Sequence, residues 1–98
     1  MNKFSFLALT ALLSFGSLAS EDNGYCKGMS KVAGQIMEFR QQSVDMAELY
    51  ELLKNSKGSL IILKMAYDVP LYSTDEYKLR EIAKFKNEIF MICISKED

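Results

Sequence analysis

Ser59-Leu60-Ile61-Ile62-Leu63-Lys64-Met65-Ala66-Tyr67 is the stretch on which the fold turns. As a strand it makes the chain a mixed α/β domain; as a helix it leaves only helices. Leu60 to Leu63 run without polar alternation and two of the four are β-branched, so periodicity alone suits a buried strand as well as a buried helix. Two observations favour the helix. Met65, Ala66 and Tyr67 extend the run, and no other segment supplies a partner strand of comparable quality for a sheet. Pro70, the only proline, pushes Val69 toward extended backbone and closes the element.

The flanking segments read as helices. Upstream, Cys26, Met29, Val32, Ala33, Ile36 and Met37 recur at steps of three and four, which puts them on one face of a helix from about Cys26 to Gln41. Lys27, Lys31, Gln35 and Glu38 fall opposite or beside that face. Gly28 and Gly34 each cost about 1 kcal/mol relative to Ala inside a helix, and Gly34 suits a close helix crossing. After the link at Gln42 and Ser43, Asp45 and Glu48 have the spacing of a capping box, and Val44 and Leu49 that of a hydrophobic staple. A second helix from Met46 to about Lys54 follows, ended by Asn55 to Gly58.

Downstream, Ser73 is placed to cap and Glu76 to complete its box, with Tyr72 and Tyr77 as an aromatic staple. Asp75 and Glu76 put negative charge at the positive end of the helix dipole. The last helix is expected from Thr74 to about Ile94, its apolar face made by Leu79, Ile82, Ala83, Phe85, Ile89, Phe90, Ile92 and Cys93. Glu76 with Arg80 and Lys84 with Glu88 are spaced for surface ion pairs worth a few tenths of a kcal/mol.

The first residues have the three zones of an export signal. Lys3 is the positive region, Phe4 to Phe15 the apolar one, and Ser17-Leu18-Ala19 a small-residue cleavage site before Ser20. From Phe4 to Ala19 the stretch is shorter than the ~20 apolar residues of a spanning helix. Asn23-Gly24-Tyr25 before Cys26 is not the apolar and small-residue context of a lipid-attachment cysteine. The expected organisation is a signal peptide over 1–19, a polar N-terminal tail over 20–24 and one helical domain over 25–98, periplasmic or secreted, with no stable membrane insertion after cleavage.

A mature domain of about 79 residues buries a core of marginal stability, so a covalent clip is expected. Cys26 and Cys93 are the only cysteines and stand near its two ends. In an oxidising compartment they pair, enclosing 66 residues and stabilising the domain by roughly 4 kcal/mol. The bond sets the start of the first helix beside the end of the fourth, the relation an up-down-up-down order requires. The expected fold is all-α, a small up-down four-helix bundle stapled by one disulfide.

Composition narrows the chemistry. Without Lys3 the chain carries 11 Lys and Arg against 13 Asp and Glu, which argues against nucleic acid and strongly anionic membrane partners. Histidine is absent, which removes the usual triads and most zinc sites and leaves a Ser or Cys nucleophile without its usual base. The carboxylate pairs Asp75–Glu76 and Glu48–Glu51 are explained by capping and by a solvated helix face. Met29, Met37, Met46, Met65 and Met91 are scattered at core-facing positions and read as gap-fillers, not as a soft-metal cluster. No catalytic residue, cofactor or metal is expected. Loop and interface preferences single out Arg40, Gln41, Tyr67, Pro70 and Tyr72 as the candidate partner surface, the alternative being that Arg40 complements a helix dipole and the tyrosines pack as staples.

Ile36-Met37-Glu38-Phe39-Arg40-Gln41, then Ala66-Tyr67 leading through Pro70 to Tyr72-Ser73-Thr74, then Phe85-Lys86-Asn87 and a late Cys93, resemble short exported two-cysteine proteins encoded by bacteria and tailed phages. The likeness spans nearly all the mature chain. It implies an exported compartment and a disulfide, and it brings no activity and no catalytic residue. The function expected is that of a non-enzymatic interaction or modulator protein acting on a periplasmic or envelope protein partner. The alternative is a periplasmic acid-stress chaperone, because protonating the carboxylates would make the chain strongly positive and could expose its apolar faces.

Overall fold

A computed structural model describes residues 24–96, in which four helices and no strand are found. Helix α1 occupies 24–41, α2 Met46–Leu53, α3 Lys57–Tyr67 and α4 Asp75–Lys96. The segment read from sequence as an export signal, its expected cleavage site and residues 20–23 of the expected tail lie outside the described residues. Gly24, assigned to the tail from sequence, is already helical.

The segment that decides the fold is a helix, and it starts two residues before the expected Ser59. Ser56 caps it: the Ser56 hydroxyl accepts from the Ser59 N–H at 3.2 Å and donates to the Ser59 hydroxyl at 3.0 Å. Lys57 and Gly58, read from sequence as part of a stop, therefore belong to the first turn of α3. A β-carbon on Gly58 would stand 3.0 Å from Met29 Cε, so α3 and α1 meet here through the tip of the Met29 side chain.

Other ends also differ from the sequence reading. Asp45 stands at the N-cap of α2 in extended backbone, but its side chain makes no cap bond. The Glu48 N–H already donates to the Asp45 carbonyl at 3.1 Å, which leaves the exposed carboxylate to water and the expected box unformed. Thr74, not Ser73, caps α4, its hydroxyl accepting from the Tyr77 N–H at 3.2 Å. Adjacent Ser and Thr offer equivalent caps, and the chain path through Pro70 to Tyr72 selects the second. Helix α4 continues to Lys96, and Glu76–Arg80 closes at 3.2 Å. The Tyr72 and Tyr77 rings stand 6.1 Å apart, as a staple requires.

Cys26 and Cys93 are bonded, with α-carbons 5.5 Å apart. Contacts further along keep α1 and α4 antiparallel. The Ser30 hydroxyl donates to the Lys86 carbonyl at 3.2 Å, and Lys78 Nζ donates to the Gln41 carbonyl at 2.6 Å. A β-carbon on Gly34 would sit 2.7 Å from Lys86 Cδ, so the aliphatic stem of that lysine fills the space the glycine leaves. Helix α3 runs parallel to α1, with Gly58 beside Met29 and Tyr67 beside Arg40. Helix α2 returns between them, giving the expected up-down-up-down order. The core joins Ala33, Ile36 and Met37 of α1, Leu49 of α2, Ile62, Leu63 and Ala66 of α3, and Phe85 and Ile89 of α4. Val44 packs against the edge of this core.

Two burial patterns depart from the sequence reading. Leu52 is an apolar member of α2 yet is 79% exposed, whereas Glu81 is buried on the α4 stripe that continues to Phe85 and Ile89. Leu79 and Ala83, expected on the core face of α4, are exposed, because the helix turns the 81-85-89 row inward instead.

Candidate functional site: an internal clasp and an open groove

The five residues singled out as a partner surface do come together, through bonds made within the chain. Gln41, the last residue of α1, is 1% exposed. Its side-chain amide donates to the Pro70 carbonyl at 2.9 Å and to the Met37 sulfur at 3.6 Å, and its Oε1 accepts from the Tyr72 N–H at 2.9 Å. One buried amide thereby holds both sides of the 68–74 connection. Arg40 beside it donates from Nε to the Val69 carbonyl at 3.0 Å and lies 5.2 Å from the Tyr67 ring centroid. The Tyr67 hydroxyl donates to the Val44 carbonyl at 2.6 Å, and burial, the leading cause, raises the phenol's pKa above its ordinary value.

The chain can place these groups because of how α1 ends. The Val44 N–H donates to the Phe39 carbonyl and the Ser43 N–H to the Arg40 carbonyl, both at 3.0 Å, which is the Schellman pattern of helix termination. Ser43 sits at the left-handed position, φ 69°, where glycine is usual. Lys78 supplies the cation at the α1 C-terminus, the role the sequence reading considered for Arg40. Gln41 is therefore spent internally, while Pro70 remains exposed and Arg40, Tyr67 and Tyr72 are half-buried.

The opposite, stapled end is built differently. Helices α2 and α3 pack closely, but α3 and α4 make only sparse backbone approaches, and a seam opens between them. The seam is an apolar groove of about 240 Å³, lined by Tyr25 and Met29 of α1, Ile61, Ile62 and Met65 of α3, and Ile89, Ile92, Cys93 and Lys96 of α4. Ile62 and Ile89 are core residues and form its floor. The walls are open: Tyr25 is 65% exposed, Ile61 57% and Ile92 43%. This volume lies below the ~300–1,000 Å³ of ordinary small-molecule sites, so the groove fits one or two anchoring side chains better than a whole cofactor.

Lys96 is the one charged residue of the lining. Lys57 and Lys64 lie one turn either side of Ile61 on the exposed strip of α3, and Lys96 follows Ile92 by one turn on α4. Glu88, one turn before Ile92, is the acidic residue of that strip. All four are exposed, and among the described residues the three lysines form no ion pair. The described residues also contain no group of three His, Cys, Asp or Glu side chains able to hold a metal ion, and no helix long and apolar enough to cross a membrane.

Sequence reasoning missed the groove. Ile61 was legible as part of an apolar run and Ile92 as part of a helix face, but only the helix arrangement shows that both project into one seam. Comparison of the chain with known protein families, with curated proteins and with solved structures finds no match.

Proposed function

We propose that this is a small exported helical protein that acts as a non-enzymatic interaction or modulator protein on a periplasmic or envelope partner, docking at the groove between α3 and α4. The observation that carries the reading is the exposure of Tyr25, Ile61 and Ile92 around an apolar floor at the covalently braced end of the bundle. Solvent-facing apolar side chains that converge on a groove are the usual composition of a docking anchor. The Cys26–Cys93 bond supports maturation outside the reducing cytoplasm, in keeping with the export signal read over residues 1–19.

The test places a photo-crosslinking residue at Ile61 or at Ile92 in the chain expressed in its natural host, with Leu52 on α2 as the exposed control position. A defined adduct with one envelope protein from both groove positions, absent from the control, is expected. Binding of that purified protein should then be abolished by Ile61→Glu. Equal crosslinking from Leu52, or undiminished binding by Ile61→Glu, would remove the groove as the docking site. Fractionation should recover the chain outside the cytoplasm and shortened by its first 19 residues; an intact leader on the recovered chain would contradict the export reading.

A further inference from the structure

Half of the staple belongs to the groove. We infer that Cys93 is a site of reversible thiol exchange, reached through the groove by a small thiol, and that this exchange unfastens the end of α4. Cys26 is 0% exposed, whereas Cys93 is part-exposed and lines the groove beside Ile92 and Lys96. Exchange requires a thiolate to reach one of the two sulfurs, so access decides which of them is attacked. An attack on Cys26 must pass through packed protein, and an attack on Cys93 has an open approach. The recess of about 240 Å³ admits a group the size of one or two side chains, which suits a small thiol better than the surface of a folded enzyme.

The step balances without an outside oxidant. The thiol gives its proton to water, and the thiolate so formed bonds to Cys93 Sγ. The Sγ–Sγ bond breaks, and its electron pair leaves on Cys26 Sγ, which takes a proton from water. The incoming sulfur is thereby oxidised into a mixed disulfide while Cys26 is reduced. Return attack by the Cys26 thiolate on Cys93 expels the thiol and restores the staple. The fold yields at this point because past Ile89 no described residue of α4 is buried. Breaking the bond frees 90–96, while Phe85, Ile89 and the Ser30–Lys86 hydrogen bond keep the preceding turns of α4 on α1. Ile92 and Lys96 line the groove from the freed segment, so exchange at Cys93 alters the groove itself.

The probe is reduced glutathione, added at neutral pH to the oxidised, processed protein. Early samples are quenched in acid and their free thiols alkylated. Tryptic cleavage after Lys27, Lys86 and Lys96 puts the two cysteines on separate peptides for mass spectrometry. Glutathione is expected on Cys93 and the alkyl group on Cys26, with the reverse species minor and the rate nearly constant at low urea. Reaction through global unfolding would instead accelerate about fivefold per molar urea for a domain of this size. Ile61→Trp, which narrows the opening, should slow the exchange, and Leu52→Trp on α2 should not, with circular dichroism showing both variants folded. Amide exchange in the thiolated protein should quicken over 90–96 ahead of α1. Glutathione divided equally between the cysteines, or found chiefly on Cys26, would overturn the assignment. So would a rate that climbs with urea from the first increment, or no adduct before the protein unfolds. Uniform amide exchange along α1 and α4 would overturn the unfastening.

Discussion

Replacing Cys26 and Cys93 together by serine should cost this protein most of its stability. The bond spans 67 residues, and constraining an unfolded loop of that length contributes about 4 kcal/mol in the chain-entropy treatment. A domain of roughly 70 ordered residues has in total about 4–10 kcal/mol. Position matters as much as loop length. Past Ile89 no residue of α4 is buried, so the last two turns of that helix are held to α1 chiefly by the staple. Urea unfolding followed by far-ultraviolet circular dichroism is the suitable assay, because the chain has no tryptophan to report by fluorescence. With a slope near 1 kcal/mol/M for so small a domain, the midpoint should drop by about 3–4 M or the variant should be unfolded without denaturant. Amide exchange in whatever native fraction remains should accelerate first over 90–96. A loss under about 1 kcal/mol, or exchange no faster at the end of α4 than in α1, would show that packing alone fixes the fourth helix.

Three further changes probe the clasp at the other end. Gln41→Ala strands the Pro70 carbonyl and the Tyr72 N–H and leaves a void beside Met37, so a loss of about 2–4 kcal/mol is expected in denaturant titration, and a loss below 1 would mean that the 68–74 connection holds itself. Ser43→Gly relieves a left-handed residue at the cost of a looser unfolded chain, for a net gain of about 0.5 kcal/mol and roughly 2–4 °C in Tm; a fall in Tm would contradict the αL assignment. Tyr67→Phe deletes the bond to Val44 and should cost about 1 kcal/mol at neutral pH. Because the phenol's pKa is raised in the fold, its stabilisation is complete below about pH 10 and is lost as pH rises through the folded value, so the gap between wild type and Tyr67→Phe should narrow in alkali. A gap constant to the highest pH at which both fold would exclude that coupling.

The helical architecture was legible because its signals are local and redundant. The inward face of α1 follows from the three- and four-residue spacing of Cys26, Ala33, Ile36 and Met37, and all four are buried. The staple reinforced the helix order by parity, since a bond between Cys26 and Cys93 is compatible only with ends that meet. Helix starts were less legible. Ser73 and Thr74 are chemically equivalent caps one residue apart, and choosing between them needs the path of the preceding loop. Gln41 shows what residue type alone does not distinguish at the candidate surface. A polar residue that faces water and one that closes a loop from inside have the same sequence signature, and only a count of its hydrogen bonds tells them apart. Leu79 and Ala83 are the reverse case: the apolar pattern put both on the core face of α4, and the helix orientation leaves them exposed.

The two ends of the bundle are held together by different means, and the difference explains why the groove can exist. At the clasp end, cohesion is non-covalent. Gln41, Arg40, Tyr67 and Lys78 each give a hydrogen bond to the backbone of another element. At the stapled end the same task falls to one covalent bond, which needs no surrounding apolar area to hold α4 against α1. Each of Ile61 and Ile92 would add roughly 1–2 kcal/mol if the seam were closed and both were buried. A domain this small without a disulfide would need that contribution to keep four helices together. With the staple supplying about 4 kcal/mol, the seam can stay open and its isoleucines stay available. Shortening the exposed side chains should therefore leave folding nearly unchanged while abolishing docking, a separation that no buried member of the core can show.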